Sequence, residues 1–339
     1  MKEYKIAILG ATGLVGQEFL KILEERNFPI SDIILTASSN SEGKKILFKG
    51  ENLTVKEAKK EIFKGVDIIF SSAGASVSKN LLPDITNKET IAIDNTSAFR
   101  MYGDVPLVVP EVNSEDLKKH NGIISNPNCS TIQLVVALKP LNDFIPIKRV
   151  IVSTYQAVSG AGNKAIQEMY KQIKDKLENK PLNYEKTILP QVIAFNVIPH
   201  GGNFLENDYT EEEMKIVNET KKIMNLPNLK ITATSVRVPV INGHSESVNI
   251  EFEKEFSPEK AKELLSNFKG IKLIDNPKNK EYPMPIFISG KNDVFVGRIR
   301  KDTSCDNALN MFIVADNIRK GAALNAIQIA EKMIEMNLL

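Results

Sequence analysis

The sequence predicts an α/β fold, with a doubly wound parallel sheet first and a mixed α+β region after it. Three observations predict it. Short β-rich runs alternate with helical stretches over the first 126 residues. A glycine-rich turn joins the first run to the first helix. Beyond residue 149 the runs lengthen, and one of them alternates polar and apolar residues. Strands separated by helices argue for parallel βαβ units, whereas alternation argues for a half-exposed antiparallel strand.

Tyr4–Leu9 reads as a buried strand, and Leu14–Glu25 as a helix with Leu14, Val15, Phe19, Leu20 and Leu23 on its apolar side. Ile33–Thr36, Val66–Phe70, Thr90–Asp94, Leu107–Val109 and Gly122–Ile124 are further strands by composition. In the middle, Arg149–Tyr155 reads as a strand and Lys164–Lys176 as a helix. Leu229–Pro239 and Glu246–Glu253 are longer strand-like runs, the second of them the alternating one. Ser257 followed by Pro258 opens a helix with an N-cap and a proline at its first position. Phe295–Arg300 and Ala308–Val314 close a mixed sheet, and Arg319–Met336 repeats Ala and Ile at helical spacing. Lys-rich stretches such as Lys171–Lys186 read as solvated faces.

The 339 residues suffice for two domains with a large core. Lys and Arg total 44 against 42 Asp and Glu. That balance gives no bulk attraction for nucleic acid or an anionic membrane. Only seven of the 44 are Arg, so an Arg in a conspicuous place carries weight. Two Cys, Cys129 and Cys305, make no disulfide framework and suit a reducing compartment. The N-terminal apolar stretch is too short for a signal peptide, and no apolar run reaches the ~20 residues of a membrane span. A cytoplasmic location is expected.

Gly10-Ala-Thr-Gly13-Leu-Val-Gly16 follows the first strand directly. Glycines there permit a tight turn and bring backbone N–H groups near a pyrophosphate, with the helix dipole behind them. This predicts a dinucleotide site. At the end of the second strand, Ser38-Ser39-Asn40-Ser41 stand where an NAD site usually carries Asp or Glu. Hydroxyls, an amide and the nearby Lys44 and Lys45 lean toward NADP.

Asn126-Pro-Asn-Cys129-Ser-Thr precedes the apolar run Ile132–Leu138. This puts Cys129 at a helix start, where the dipole favours a reactive thiolate and backbone N–H groups, with Asn128, suit an oxyanion. Cys305 has no such setting and reads as structural.

These segments resemble the aspartate-semialdehyde dehydrogenase family. So do Asp94-Asn-Thr-Ser-Ala-Phe-Arg100, Tyr155-Gln156-Ala-Val-Ser-Gly-Ala-Gly162, Arg237-Val-Pro-Val-Ile-Asn-Gly-His244 and Asp316-Asn-Ile-Arg-Lys-Gly-Ala-Ala-Leu-Asn325. The match runs in order from residue 4 to about residue 331. N-acetyl-glutamyl-phosphate reductases, related in chemistry, typically have Gly before the Cys and an aromatic after it, where this chain has Asn128 and Ser130.

The resemblance implies NADPH-dependent reductive dephosphorylation of L-aspartyl 4-phosphate to L-aspartate 4-semialdehyde, in the biosynthesis of lysine, threonine and methionine. Its partners would be that small substrate and inorganic phosphate, with NADP and neither metal nor covalent prosthetic group. Cys129 would form a thioacyl intermediate, Gln156 would orient its carbonyl, and His244 would be the general acid/base, helped by a near-neutral pKa. Arg237 would bind the α-carboxylate through its planar fork. Glu212 would bind the ammonium, Lys215 and Arg100 the phosphate, and Asn128 would lie near Arg100 on the substrate. For NADP the resemblance implies Gly10, Thr12, Gly13, Leu14, Val15, Gly16, Ser38, Ser39, Ser159, Gly160 and Asn317. His200 lies in a family-like segment and reads as structural. Many bacterial members carry, in place of Asn40, an Arg that holds the 2′-phosphate. The implied architecture is a Rossmann domain of residues 1–126 completed by 317–339, a mixed α+β substrate and dimerisation domain of 127–316, and a homodimer.

Overall fold

The computed structural model describes residues 2–182 and 187–339. Residues 183–186, the end of the Lys-rich stretch, lie outside the described residues. The chain divides into two compact units, Met1–Asn128 with Ala322–Leu339, and Cys129–Gly321.

The first unit starts with β1 (Tyr4–Leu9), α1 (Leu14–Glu25), β2 (Ile30–Ala37), a hairpin of β3 (Lys45–Phe48) and β4 (Glu51–Thr54), and the two-residue β5 (Lys56–Glu57). It continues with β6 (Ile68–Ser71), α2 (Ala75–Ile85), β7 (Ile91–Asp94), the short α3 (Pro110–Asn113) and β8 (Ile123–Ser125). The strands form a parallel sheet in the order β5-β2-β1-β6-β7-β8. The order runs outward in both directions from β1, which is the doubly wound pattern, with its switch point at the end of β1 where Gly10 lies. Cores form on both faces of the sheet. One packs Ile6, Ile8, Phe19, Leu23 and Phe70, and the other Ala7, Leu9, Ile69 and Leu82.

The second unit opens with α4 (Cys129–Phe144), then β9 (Ile147–Gln156), α5 (Asn163–Leu177), α6 (Glu211–Ile223), β10 (Lys230–Arg237), β11 (His244–Phe252) and α7 (Pro258–Asn267). It ends with β12 (Ile271–Leu273), α8 (Pro285–Ile288), β13 (Val294–Lys301) and β14 (Ala308–Ala315). Their sheet, in the order β10-β9-β11-β14-β13-β12, is mixed. β10 runs parallel to β9 and β12 to β13, while β11 and β14 are antiparallel to their neighbours. α4, α6 and α7 pack together over one face. α4 is apolar nearly all round, from Ile132 to Leu141, because it is buried on every side. The other face carries half-buried and exposed side chains such as Tyr155, Ser247 and Phe312. The chain then returns to the first unit through α9 (Leu324–Glu335), whose Ile327, Ala330 and Met333 join the core beside α1.

Two local readings need correction, and a third holds with one exception. Leu107–Val109 is not a strand, since only Leu107 forms a bridge, to Ser125. The run starting at Glu246 is antiparallel and half-exposed, with Ser247 and Glu253 exposed and Val248, Ile250 and Phe252 buried, but Glu246 is a polar residue wholly buried on the inward face. The last helix begins as a π turn at Arg319–Ala323 and becomes regular only at Leu324. Among the described residues, no helix is long and apolar enough to cross a membrane.

Candidate active site

Pro127 and Asn128 end the extended chain after β8, and α4 starts on Cys129 itself, so the sulfur sits on the first turn of a long buried helix. Cys129 is half-buried. The backbone of Gly321 packs against it, and a Cβ there would lie 3.0 Å from the Cys129 Cβ.

Next to Cys129, the Ser130 hydroxyl accepts a hydrogen bond from Nε2 of Gln156 at 3.1 Å. The same amide nitrogen donates to Oε1 of Glu212 at 3.3 Å, and the other Glu212 oxygen pairs with Lys215 at 3.3 Å. The capping box of α6 resolves the run of three glutamates. Glu213 accepts from the Thr210 backbone N–H and its own N–H donates to the Thr210 hydroxyl. Glu211 turns outward to Asn203, which leaves Glu212 on the side of Gln156.

Ala157, just past β9, joins two further candidates. Its carbonyl accepts from Nη1 of Arg237 at 2.7 Å, and its N–H donates to Nδ1 of His244 at 3.0 Å. A backbone N–H only donates, so Nδ1 must carry its lone pair, and the neutral ring has its proton on Nε2. Burial first, and the neighbouring Arg237 charge second, push the His244 pKa down to about 3. His244 is therefore neutral here, not poised near its ordinary value. Burial also lowers the Arg237 pKa, while Glu212 and Cys129, both within electrostatic reach, oppose that shift.

Gly160 touches the same pair. A Cβ there would lie 2.9 Å from Nη1 of Arg237 and 3.3 Å from Nε2 of His244. Ser159 and Asn317 are buried, and their side chains are engaged with the protein. Asn317 donates to the Ser159 hydroxyl at 3.0 Å and accepts from the Gly243 N–H at 2.8 Å, which anchors the residue before His244. His200 stacks on Phe204. Cys305 lies half-buried between β13 and β14.

The remaining candidates lie in the other unit. Arg100 is buried, with Nε donating to the Asn126 carbonyl at 3.0 Å and Nη2 to the Asn95 carbonyl at 2.8 Å. Asn128 is buried two residues beyond Asn126. The residues of the glycine turn fit a dinucleotide. Gly10 has φ +94° and a Cβ on it would strike the Ser72 carbonyl at 2.8 Å, while a Cβ on Gly16 would lie 2.2 Å from the Gly10 carbonyl. Those two glycines are needed by the chain's own packing. A Cβ on Gly13 would meet only the Gly10 carbonyl, at 3.4 Å, so the space before α1 stays open to a ligand. No side chain caps α1 and its first turn carries no acid, which suits an anion. Thr12, Leu14 and Val15 are half-buried around this turn. Ser38, Ser39 and Asn40 are exposed after β2, and Lys44 donates to the Ser41 hydroxyl at 3.4 Å.

Sequence reasoning missed Ala157, which acts through its backbone and leaves no signal in its residue type. It also gave no role to Ser130 or Gly321, although both fall inside quoted motifs.

The family model described as semialdehyde dehydrogenase, NAD binding domain, matches residues 5–120, and the one described as semialdehyde dehydrogenase, dimerisation domain, matches residues 138–320. An aspartate-semialdehyde dehydrogenase of Aquifex aeolicus is 56% identical, with 99% of each chain covered. The crystal structure of aspartate semialdehyde dehydrogenase II from Vibrio cholerae, complexed with ASA, is 43% identical, with a TM-score of 0.95 and 99% of each chain covered. That of a Candida albicans aspartate semialdehyde dehydrogenase with NADP is 28% identical, with a TM-score of 0.77 and 100% of each chain covered. The chain belongs to the aspartate-semialdehyde dehydrogenase family.

Proposed function

We propose that the protein catalyses the reversible, NADPH-dependent reductive dephosphorylation of L-aspartyl 4-phosphate to L-aspartate 4-semialdehyde, through a thioacyl group on Cys129. One observation carries this reading. The Gln156 amide bridges Ser130, the neighbour of Cys129, and Glu212, which is paired with Lys215. A group for an acyl carbonyl thus stands between the nucleophile and charges suited to an amino acid.

In the oxidative direction, the Cys129 thiolate forms a bond to the aldehyde carbon and the carbonyl electrons move to oxygen. The α4 N-terminus and the Arg237 charge both favour that thiolate. The neutral His244 donates a hydrogen bond from Nε2–H to the new oxyanion, and Gln156 orients the same group. The cofactor, when bound, would accept the hydride as NADP in this direction and donate it as NADPH in the other. Loss of hydride from the former aldehyde carbon leaves the thioester. A phosphate oxygen then attacks, the C–S bond breaks, the thiolate is regenerated and the phosphate gives up its proton. Arg237 holds the α-carboxylate, Glu212 the α-ammonium, and Lys215 and Arg100 the phosphate, with Asn128 near Arg100 on the substrate.

Residues 1–126 with 317–339 form the NADP-binding domain in this reading, and 127–316 the catalytic and dimerisation domain. Gly10, Thr12, Gly13, Leu14, Val15 and Gly16 hold the pyrophosphate, Ser38 and Ser39 the 2′-phosphate, and Ser159, Gly160 and Asn317 shape the nicotinamide side. The NADP of the Candida albicans structure and the missing carboxylate after β2 support NADP over NAD. The dimerisation-domain match and the half-exposed face around Tyr155 and Phe312 support a homodimer. Cys129, which forms no disulfide, suits a reducing cytoplasm, where the aldehyde feeds lysine, diaminopimelate, threonine and methionine synthesis.

The test is phosphate-dependent NADP reduction with aspartate semialdehyde, repeated with N-acetyl-glutamate semialdehyde. Turnover should require phosphate and favour the free amino acid. A higher kcat/KM for the N-acetyl compound would overturn the assignment.

A further inference from the structure

A second polar layer lies one step deeper than the candidate site. Gln133 follows Cys129 by one turn on α4, and Glu246 follows His244 by two residues on β11. Thr154 precedes Gln156 by two on β9, and Ser235 precedes Arg237 by two on β10. Spacings of four on a helix and two on a strand keep each pair on one face. The sheet register sets Glu246 beside Thr154, and Thr154 beside Ser235. All four are buried, Glu246 completely.

Their donors and acceptors are left over. Both Glu246 carboxyl oxygens, both polar atoms of the Gln133 amide, and the Thr154 and Ser235 hydroxyls have no well-formed hydrogen bond among the described residues. Gln133 is nonetheless close enough to act on the Glu246 carboxyl. A carboxylate only accepts, so an ionised Glu246 could take the Gln133 N–H but could donate nothing to the Gln133 carbonyl. A carboxylic acid gives one O–H and one C=O, which match the C=O and N–H of the amide head to head.

We propose that Glu246 is a positioning residue held as the neutral acid, paired with the Gln133 amide, so that it ties the strand of His244 to the helix of Cys129. The inference rests on the catalytic reading of Cys129 and His244. Burial supports it by pushing the Glu246 pKa well above the carboxylate range, against a smaller opposing effect of Gln133. Neither Arg237 nor Lys215 offsets that burial. Arg237 bonds to the Ala157 carbonyl, Lys215 pairs with Glu212, and Glu213 on α6 accepts from the Ser235 N–H. On its own strand His244 is neutral. A second negative charge here would work against the thiolate, whereas a neutral acid leaves it undisturbed.

Three measurements test this, in a Cys305→Ser background so that only Cys129 is alkylated. Glu246→Gln keeps a neutral partner for Gln133. Its kcat, its KM and the pH midpoint of Cys129 alkylation should match those of the parent. Glu246→Leu removes the partner and should lower kcat by about tenfold to a hundredfold with little change in KM, because the two catalytic elements lose their register. An infrared carbonyl band of a protonated carboxyl should be present in the parent at neutral pH and vanish in Glu246→Gln. The band is read without any variant that risks misfolding, and like the alkylation it needs no substrate. Both therefore stand even if the substrate assignment fails. Absence of the band, a lower alkylation midpoint in Glu246→Gln, or an unchanged kcat in a folded Glu246→Leu would each overturn the proposal.

Discussion

The backbone N–H of Ala157 donates to Nδ1 of His244 at 3.0 Å, and this one bond fixes the tautomer of the ring. A second proton on Nδ1 would break the bond and face a donor. The same residue receives Arg237 through its carbonyl. A single residue thus sets both the cation proposed for the substrate carboxylate and the donor proposed for its aldehyde oxygen.

A pH dependence follows. An unfolded histidine takes up a proton near pH 6.5, whereas the folded His244 resists it down to about 3. Between those values the unfolded chain binds the extra proton, so the His244 contribution to stability is present above pH 6.5 and is lost as pH falls. The slope is at most about 1.4 kcal/mol per pH unit. His244→Asn should remove it while keeping an acceptor for the Ala157 N–H. Glu246 shifts the opposite way, but it cancels when the two proteins are compared. Urea unfolding at several values between pH 6 and pH 4 checks this, and parallel curves for the two proteins would count against a neutral His244.

Gly160→Ala should act on substrate binding. Its backbone lies outside the left-handed region, so Ala meets no strain there, but its Cβ would lie 2.9 Å from Nη1 of Arg237. That guanidinium is tied to Ala157 and moves only by giving up the bond. The KM for the aldehyde should rise by roughly tenfold, equivalent to about 1.4 kcal/mol, with the fold intact. Steady-state kinetics and circular dichroism read both, and an unchanged KM would show that Arg237 does not bind the substrate.

Cofactor preference should be modest. Ser38, Ser39 and Asn40 repel nothing and donate hydrogen bonds to a 2′-phosphate, but no arginine stands among them. NADP should be favoured by about one to two orders of magnitude in kcat/KM, or roughly 1.4–2.8 kcal/mol. Asn40→Arg should sharpen that preference and Ser39→Asp should reverse it. Comparing kcat/KM for both cofactors in the three proteins decides it, and equal values in the parent would remove the basis of the reading.

The parts legible in the sequence were those fixed by local chemistry. The glycine turn between β1 and α1 is visible because Gly10 and Gly16 have no alternative, each facing a backbone atom where a Cβ would go. Cys129 at a helix start is visible because a short polar segment gives way to an apolar run. The polar–apolar alternation after His244 reads the strand correctly, with Ser247 and Glu253 exposed and Val248, Ile250 and Phe252 buried, but it does not register that Glu246 is a polar residue on the buried side. The π turn at Arg319–Ala323 adds a residue to a turn, which helical periodicity does not register. Leu107–Val109 has strand-like residues but bridges the sheet at one residue only. The tautomer of His244 depends on a backbone group 87 residues away, which no local pattern encodes.

The most direct test of the account is a single turnover without phosphate. Enzyme mixed with aspartate semialdehyde and NADP should release a stoichiometric burst of NADPH and then stop, because the thioester has no phosphate to receive its acyl group. Intact-protein and peptide mass spectrometry should place one aspartyl acyl group on Cys129, and phosphate should then remove it. Cys129→Ser should give neither burst nor adduct while remaining folded. A burst with the acyl group on another residue, or sustained NADP reduction by Cys129→Ser, would contradict a thioacyl intermediate on Cys129.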